Sequence, residues 1–393
     1  MNNHYDIVIV GAGIVGLTLA NRLAQSGLSL LVIDSKAINE KLELPEYPMR
    51  VSAISKRSQK IFSQIRVWNT IENLRVSPYR EMKVWDSQGQ GQIIFDSADI
   101  GMPELGHIIE NDVMVYALQQ RLHYFDSVHI AAPLQLEEIQ ITDTHVNIQA
   151  GNKNITAKLL IGADGANSWV RQQLAVPLTK RSYDHKAIVA TVKTSKSHQL
   201  TAWQCFLPTG PLAFLPLADQ QTCSIVWSCI PERGDELLAL DDEAFAKELT
   251  KAFEHRLGDI THVGPRAAFP LYMRHADYYT QSRVALVGDA AHTIHPLAGQ
   301  GVNLGIADAD KLVEVLLTAN DKKHDIGKHA ILRRYERARK AENTLMIRAM
   351  AGFKNLFGSE LSIVKLLRNS GLNLVNQMTP LKNWLIQSAM GIK

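Results

Sequence analysis

The chain has 393 residues, 46% of them hydrophobic, and a formal net charge of +3. That length suits two or three domains around a large core, and a charge so near zero gives no basic field for nucleic acid. No apolar run approaches the ~18 residues a membrane-spanning helix needs. Asp6 stands near the start without a basic leader, so no signal peptide is expected. The 14 histidines are scattered and never fall at metal-ligand spacing with a cysteine, so no metal is expected. Cys205, Cys223 and Cys229 sit in strand-like apolar contexts and read as buried, reduced thiols of a cytoplasmic protein.

In chain order, residues 5–10 (YDIVIV) form a short β-branched run, read as a buried parallel strand. Gly11-Ala12-Gly13-Ile14-Val15-Gly16 turns it into a helix expected to begin near Ile14. Gly11 permits the tight turn, Gly13 lets backbone approach a pyrophosphate, and Gly16 lets helix and strand pack closely. The diphosphate would sit at the helix N-terminus, where free N–H groups and the dipole favour negative charge. A second strand, residues 30–33, ends at Asp34, placed to accept hydrogen bonds from an adenosine ribose of FAD or NAD.

Two later motifs separate those cofactors. Residues 158–161 are an apolar run feeding Gly162-Ala163-Asp164-Gly165, with Ser168 and Arg171 at a helix start. Residues 284–287 likewise feed Gly288-Asp289, and a carboxylate at a strand end can bind the hydroxyls of a ribityl chain, which NAD lacks. A helix N-cap is the bland alternative for Asp289. His295-Pro296-Leu297-Ala298-Gly299-Gln300-Gly301-Val302-Asn303 then runs into a helix over about 302–317, its N-terminus aimed at the flavin pyrimidine edge. His292 and His295 read as loop residues.

Between these motifs, residues 186–192, 202–207, 212–217 and 222–228 are short, apolar and turn-bounded, as expected of a sheet roofing a pocket. Pro208-Thr209-Gly210-Pro211 separates two of them. The expected class is α/β with an α+β second domain. A Rossmann-like FAD-binding domain (1–75, 100–180 and 275–340) interleaves with a substrate-binding β-sheet domain (76–99 and 181–274), and 341–393 form a helical C-terminal segment.

Arg50-Val51-Ser52-Ala53-Ile54, Asp164-Gly165, Gly288-Asp289 and the 295–301 loop resemble the single-component aromatic hydroxylases with a para-hydroxybenzoate-hydroxylase-like fold. Gly106-His107-Ile108-Ile109-Glu110-Asn111, Cys223-Ser224-Ile225-Val226-Trp227-Ser228 and Arg333-Arg334-Tyr335-Glu336-Arg337 narrow the resemblance to the FAD-dependent ubiquinone-biosynthesis hydroxylases, in particular the bacterial 2-polyprenylphenol hydroxylases of the C5 step (VisC type). The resemblance implies non-covalent FAD, O2 as co-substrate, and NAD(P)H or another reductant as electron donor. It implies hydroxylation of a polyprenylphenol ring through a flavin C4a-hydroperoxide. Arg50 would contact FAD near the pyrophosphate, and Asp289 the ribityl chain. Pro296, Gly299 and Gln300 would form the catalytic wall where oxygen reacts, and residues 299–303, including Gly301, Val302 and Asn303, would hold the flavin ring by backbone N–H groups. After Glu110-Asn111, many relatives carry an arginine where this chain has Asp112.

A flavin-dependent reductase of prenyl chains and a non-catalytic FAD-holding subunit remain as alternatives. A flavin halogenase is set aside, because Val226-Trp227-Ser228-Cys229-Ile230-Pro231 keeps the Ile-Pro of its signature and lacks both tryptophans at their places. From Met346 onward, six basic residues face one acid, Glu360, a net +5. Apolar residues such as Met346, Met350, Phe353 and Phe357 recur there at helical spacing. Either a packed cap is expected, or a surface facing the inner membrane, other ubiquinone-biosynthesis proteins or a lipid-carrying partner. A homo-oligomer is left open.

Overall fold

The computed structural model describes residues 3–38, 41–42, 44, 47–294, 301–358 and 362–392. The strand His4–Val10 lies at the centre of the first sheet, with Leu30–Ile33 and Lys153–Gly162 parallel on either side. Val128–Ala131 and Val284–Leu286 extend the sheet outward, again in parallel. His4–Val10, Leu30–Ile33 and the second half of Lys153–Gly162 are near-continuous buried apolar runs because both sheet faces are covered there. The helices Ile14–Leu23, Asn111–Leu122 and Gly301–Asp321 supply much of that cover and share the main core with the sheet. The last helix runs past 317, its final turns held by the fully buried Ala319.

The register carries function. Val10 pairs with Ile33 and Gly162, and Gly162 pairs with Leu286, so these strands end side by side. Gly11, Asp34, Asp164 and Asp289 all follow those ends, at the carboxyl edge where ligands of open parallel sheets bind.

The second sheet orders its strands Gln92–Asp96, Glu81–Asp86, Thr201–Leu207, Gly210–Pro216, Thr222–Cys229, Leu178–Thr194, Ala267–Ala276 and His292–Thr293, with Ile260–Val263 also paired to Leu178–Thr194. Strand alternation gives it two faces. Cys205, Phe214, Ile225 and Trp227 bury one face in a core shared with Leu237, Phe245 and Leu249 of two covering helices. From the other face, Leu215, Leu217 and Val226 pack against Ala53 and Ile108. Those two belong to a small sheet of Val51–Ser55, Gly106–Glu110 and Ser77–Tyr79. Leu178–Thr194 is longer than the sequence pattern suggests. It bends at an irregularity between Ser182 and Lys186, where Asp184 takes φ 52°, and so spans polar and apolar surroundings. The three cysteines are buried and form no disulfide.

One short strand joins the layers. His292–Thr293, just after the Gly288-Asp289 turn, hydrogen-bonds to Ala267–Ala276 of the second sheet, with His292 opposite His275.

The chain ends in three helices, His329–Gly358, Ser362–Gln377 and Thr379–Met390. The second presents Asn369, Asn373 and Asn376 on one face by their spacing of four and three. Their Oδ1 atoms accept the backbone N–H groups of Gly91 (2.6 Å), Gln92 (3.1 Å) and Ile94 (3.0 Å). The strand Gln92–Asp96 is the outer edge of the second sheet, so side-chain amides occupy the place of a further strand. Phe357 stacks on Phe206 at 3.7 Å, and Ile386 and Met390 pack on Leu105. Leu374, Met378, Leu381 and Trp384 face outward, 36–58% exposed. Among the described residues no helix is long and apolar enough to cross a membrane.

Candidate functional site

Gly11 and Gly16 are explained by the protein itself. Gly11 has φ +111°, and a Cβ there would overlap the Ala163 carbonyl, while a Cβ on Gly16 would overlap the Gly11 carbonyl oxygen. Gly13 is different, since a Cβ there would meet nothing within 4 Å. It opens onto a cavity of about 190 Å³ lined in part by Ala12, Asp34, Lys36, Asp112 and Tyr116. The Asp34 carboxylate accepts the N–H of Ala12 (2.8 Å) and of Lys36 (2.9 Å), one on each oxygen. Each oxygen keeps a further lone pair for a ligand.

In the second motif, Asp164 accepts the Val170 N–H on Oδ2 (3.0 Å), and its Oδ1 is buried without a partner. Ser168 caps the helix Trp169–Gln173 through the Arg171 N–H. Arg171, 4% exposed, donates to the carbonyls of Ala290 (2.8 Å) and Ala166 (2.9 Å) and so ties the second motif to the third. Burial lowers its guanidinium pKa, against the pull of Asp164.

Gly288–Ala290 is a single tight turn with Gly288 at φ +59°. Asp289 caps no helix and accepts no hydrogen bond among the described residues, contrary to the bland alternative. Its side chain is open to solvent, yet protein surrounds it closely enough that burial pushes the carboxyl above its ordinary range. The nearby His292, Arg274 and Arg50 pull the other way. Arg50 is exposed beside this turn, and its carbonyl accepts the Asn111 N–H at 3.0 Å. Arg274, on the second sheet, is a neighbour of Asp289 that the sequence pattern did not single out.

Gly301, Val302 and Asn303 form the first turn of the helix Gly301–Asp321, where N–H groups have no intrahelical acceptor. A Cβ on Gly301 would meet nothing within 4 Å. The Asn303 side chain is engaged elsewhere. Its Nδ2 donates to the Ala53 carbonyl (2.7 Å), and its Oδ1 accepts from Ser55 N (3.0 Å) and Ser58 Oγ (2.8 Å). The strand after Arg50 is thereby fastened to this helix. Pro296, Gly299 and Gln300 lie outside the described residues.

Behind the turn is a buried ionic cluster that sequence reasoning missed. Asp308 is fully buried and meets His292 at 2.5 Å and Arg339 at 2.7 Å. Burial alone would raise its carboxyl, but the charge and hydrogen bond of His292, with Arg339, hold it at about 2. The available signal was an acid on the apolar stripe, since Gly305, Asp308 and Leu312 share one helix face and all are buried.

These features fit a dinucleotide with a polyol chain. Open space at Gly13, the orphaned Asp164 oxygen, an Asp289 carboxylate without a partner among the described residues, and the first turn of the helix beginning at Gly301 adjoin one strand-end edge. The family model described as "FAD binding domain" matches residues 4–349. The chain is 37% identical over 392 residues to the 3-demethoxyubiquinol 3-hydroxylase of Escherichia coli (strain K12), covering 100% of both chains. It is 36% identical to the mitochondrial ubiquinone biosynthesis monooxygenase COQ6 of Danio rerio, over 99% of this chain and 90% of that one. Among solved structures, the p-nitrophenol 4-monooxygenase PnpA from Pseudomonas putida DLL-E4 superposes with a TM-score of 0.80 at 17% identity, covering 99% of each chain, which shows a shared fold. With that match end to end and the motifs gathered at one edge, the chain belongs to the FAD-dependent ubiquinone-biosynthesis hydroxylases of the FAD-binding-domain family.

Proposed function

We propose that this protein hydroxylates the aromatic ring of a polyprenylated phenol in ubiquinone biosynthesis, using FAD, O2 and an NAD(P)H-type reductant. The observation that carries the reading is Asp289, a carboxylate without a hydrogen-bond partner among the described residues, set among strand ends. When bound, FAD supplies the activation of oxygen, and the chain supplies binding, orientation and dryness. Gly11, Gly13 and Gly16 allow backbone to approach the diphosphate. Asp34 would accept from the adenosine ribose, Arg50 would offset pyrophosphate charge, and the orphaned oxygen of Asp164 would accept from the cofactor. Gly288 shapes the turn that presents Asp289 to the ribityl hydroxyls. By the resemblance, the backbone N–H groups of Gly301, Val302 and Asn303 would hold the flavin ring, where a helix N-terminus favours negative charge. Pro296, Gly299 and Gln300 are assigned to the neighbouring wall on the resemblance alone.

Beside the Leu215 and Leu217 patch that packs on Ala53 and Ile108, the partly buried Val226 and Met273 continue the apolar face of the second sheet. Such a roof keeps water from the reacting centre and accepts an apolar ring and tail. The decisive experiment adds a short-chain prenylphenol to the purified protein under labelled O2. Stimulated NAD(P)H oxidation with one oxygen atom from O2 in the product supports the reading. A saturated prenyl chain without oxygen uptake favours the reductase, and bound flavin without stimulated oxidation favours the FAD-holding subunit. Mass spectrometry of quinone intermediates in a deletion strain then identifies the ring carbon.

We also propose that the outward ridge of Leu374, Met378, Leu381 and Trp384 meets an anionic lipid surface. The basic residues of 346–393, apart from Lys382, which pairs with Asp99, complement such a surface, and a polyprenyl substrate is too apolar to diffuse freely through water.

A further inference from the structure

Asp308 lies behind the cofactor crevice and has no part in the roles assigned above. Four donors converge on its buried carboxylate. Oδ2 accepts the Gly288 backbone N–H at 3.1 Å and pairs with His292 Nε2 at 2.5 Å. Oδ1 accepts from Arg339 Nε at 2.7 Å and Asn343 Nδ2 at 3.3 Å. Arg339, 1% exposed, also reaches the Leu304 carbonyl at 3.5 Å, one turn back on the helix that carries Asp308.

Two of these contacts bracket Asp289, one residue before it and three after. The others anchor the carboxylate to the long helix His329–Gly358. The surrounding backbone has no slack. A Cβ on Gly305 would lie 2.6 Å from the Val15 side chain, and one on Gly288 would lie 3.3 Å from the same side chain. The first glycine-turn helix, the Gly288-Asp289 turn and the helix beginning at Gly301 are therefore in mutual contact, and one carboxylate joins the last two.

We propose that Asp308, acting through Gly288 N–H and His292, is a positioning residue that fixes the height and direction of Asp289 relative to the helix N-terminus at Gly301. The proposal rests on the reading of Asp289 as the ribityl acceptor. His292 on Oδ2 and Arg339 on Oδ1 together hold the carboxylate as an anion, so its grip on Gly288 persists through the neutral range. A loosened turn would leave Asp289 present but misplaced, which weakens a hydrogen bond as effectively as deletion does.

Removing the Asp308 charge strands buried Arg339 and threatens the fold, so His292 carries the test. His292→Ala, His292→Gln and Asp289→Ala are compared by FAD titration of the apoprotein, visible circular dichroism of the bound flavin, and urea midpoint. His292→Ala should weaken FAD by about tenfold and alter the flavin dichroism under conditions where the apoprotein is still folded, although loss of a buried partner of Asp308 lowers the urea midpoint. His292→Gln, whose amide can donate to the same oxygen, should return affinity to within about threefold. Parental affinity and dichroism in His292→Ala overturn the proposal. So does a loss of affinity that follows the urea midpoint and is not rescued by glutamine. If Asp289→Ala loses FAD while His292→Ala keeps it, only the positioning role fails; if Asp289→Ala keeps it, the ribityl reading falls as well.

Discussion

Gly11 and Gly13 stand two residues apart and answer to different constraints. The first is demanded by the fold, whereas the space beside the second is empty of protein. Gly13→Val should therefore leave the apoprotein melting temperature nearly unchanged and abolish retention of FAD, because its side chain would fill the approach to the diphosphate. Full FAD occupancy in that variant would place the diphosphate elsewhere. Asp289→Ala should cost FAD binding about 1.5–3 kcal/mol, as for hydrogen bonds to a charged group; an earlier melt with normal binding would make it a structural residue after all. His107 gives a pH effect. It is buried against the edge of Trp68 at 4.8 Å, and burial, helped by the Lys56 charge and opposed by Glu104, lowers its pKa from 6.5 to about 4. Between those two values the unfolded chain binds a proton that the folded chain refuses, so stability rises with pH there and falls on acidification. At about 1.4 kcal/mol per unit, the loss by pH 4 is on the order of 3 kcal/mol. His107→Phe should flatten that slope in denaturation measured at several pH values, and an unaltered slope would trace the acid sensitivity to other groups.

At the scale of elements, local pattern carried far. The strand, turn and helix around Gly11 were legible because their signals lie within a few residues, and the same holds for the strand ending before Gly288. The Asp308 cluster was not legible, since an acid between two alanines looks like an ordinary helix residue until a histidine 16 positions away and an arginine 31 positions away are brought to it. The asparagines at 369, 373 and 376 were hidden for a related reason. Read alone they are a polar helix face meant for water, and only the fold supplies an edge strand 278 to 282 residues distant. Asn373→Ala should leave the Gln92 N–H to water at a cost of about 1 kcal/mol, and replacing all three amides should raise hydrogen exchange at Gly91, Gln92 and Ile94. Unchanged protection at those amides would mean that the helix does not hold the edge.

For the whole molecule, the C-terminal segment packs inward on the edge strand and Leu105, as a cap would, and it also leaves Leu374, Met378, Leu381 and Trp384 exposed. Deleting it would strip the edge strand as well as the ridge, and an uncovered edge invites pairing between chains. Point changes separate the two functions. Leu374→Asp with Trp384→Asp should abolish flotation with anionic vesicles at low salt while FAD binding stays intact; if the parent protein ignores such vesicles, the lipid-surface reading fails. The interleaving of the chain has a mechanical corollary at His292–Thr293. This two-residue stitch belongs to the roof's sheet yet leaves directly from the turn that bears Asp289. A rigid tilt of the roof must either unzip the stitch or carry the turn with it. If a prenyl tail enters beneath the roof and Asp289 holds the ribityl chain, as proposed, admission of the tail would be geared to the grip on the cofactor, and a tail that props the roof ajar would be felt as strain at that contact.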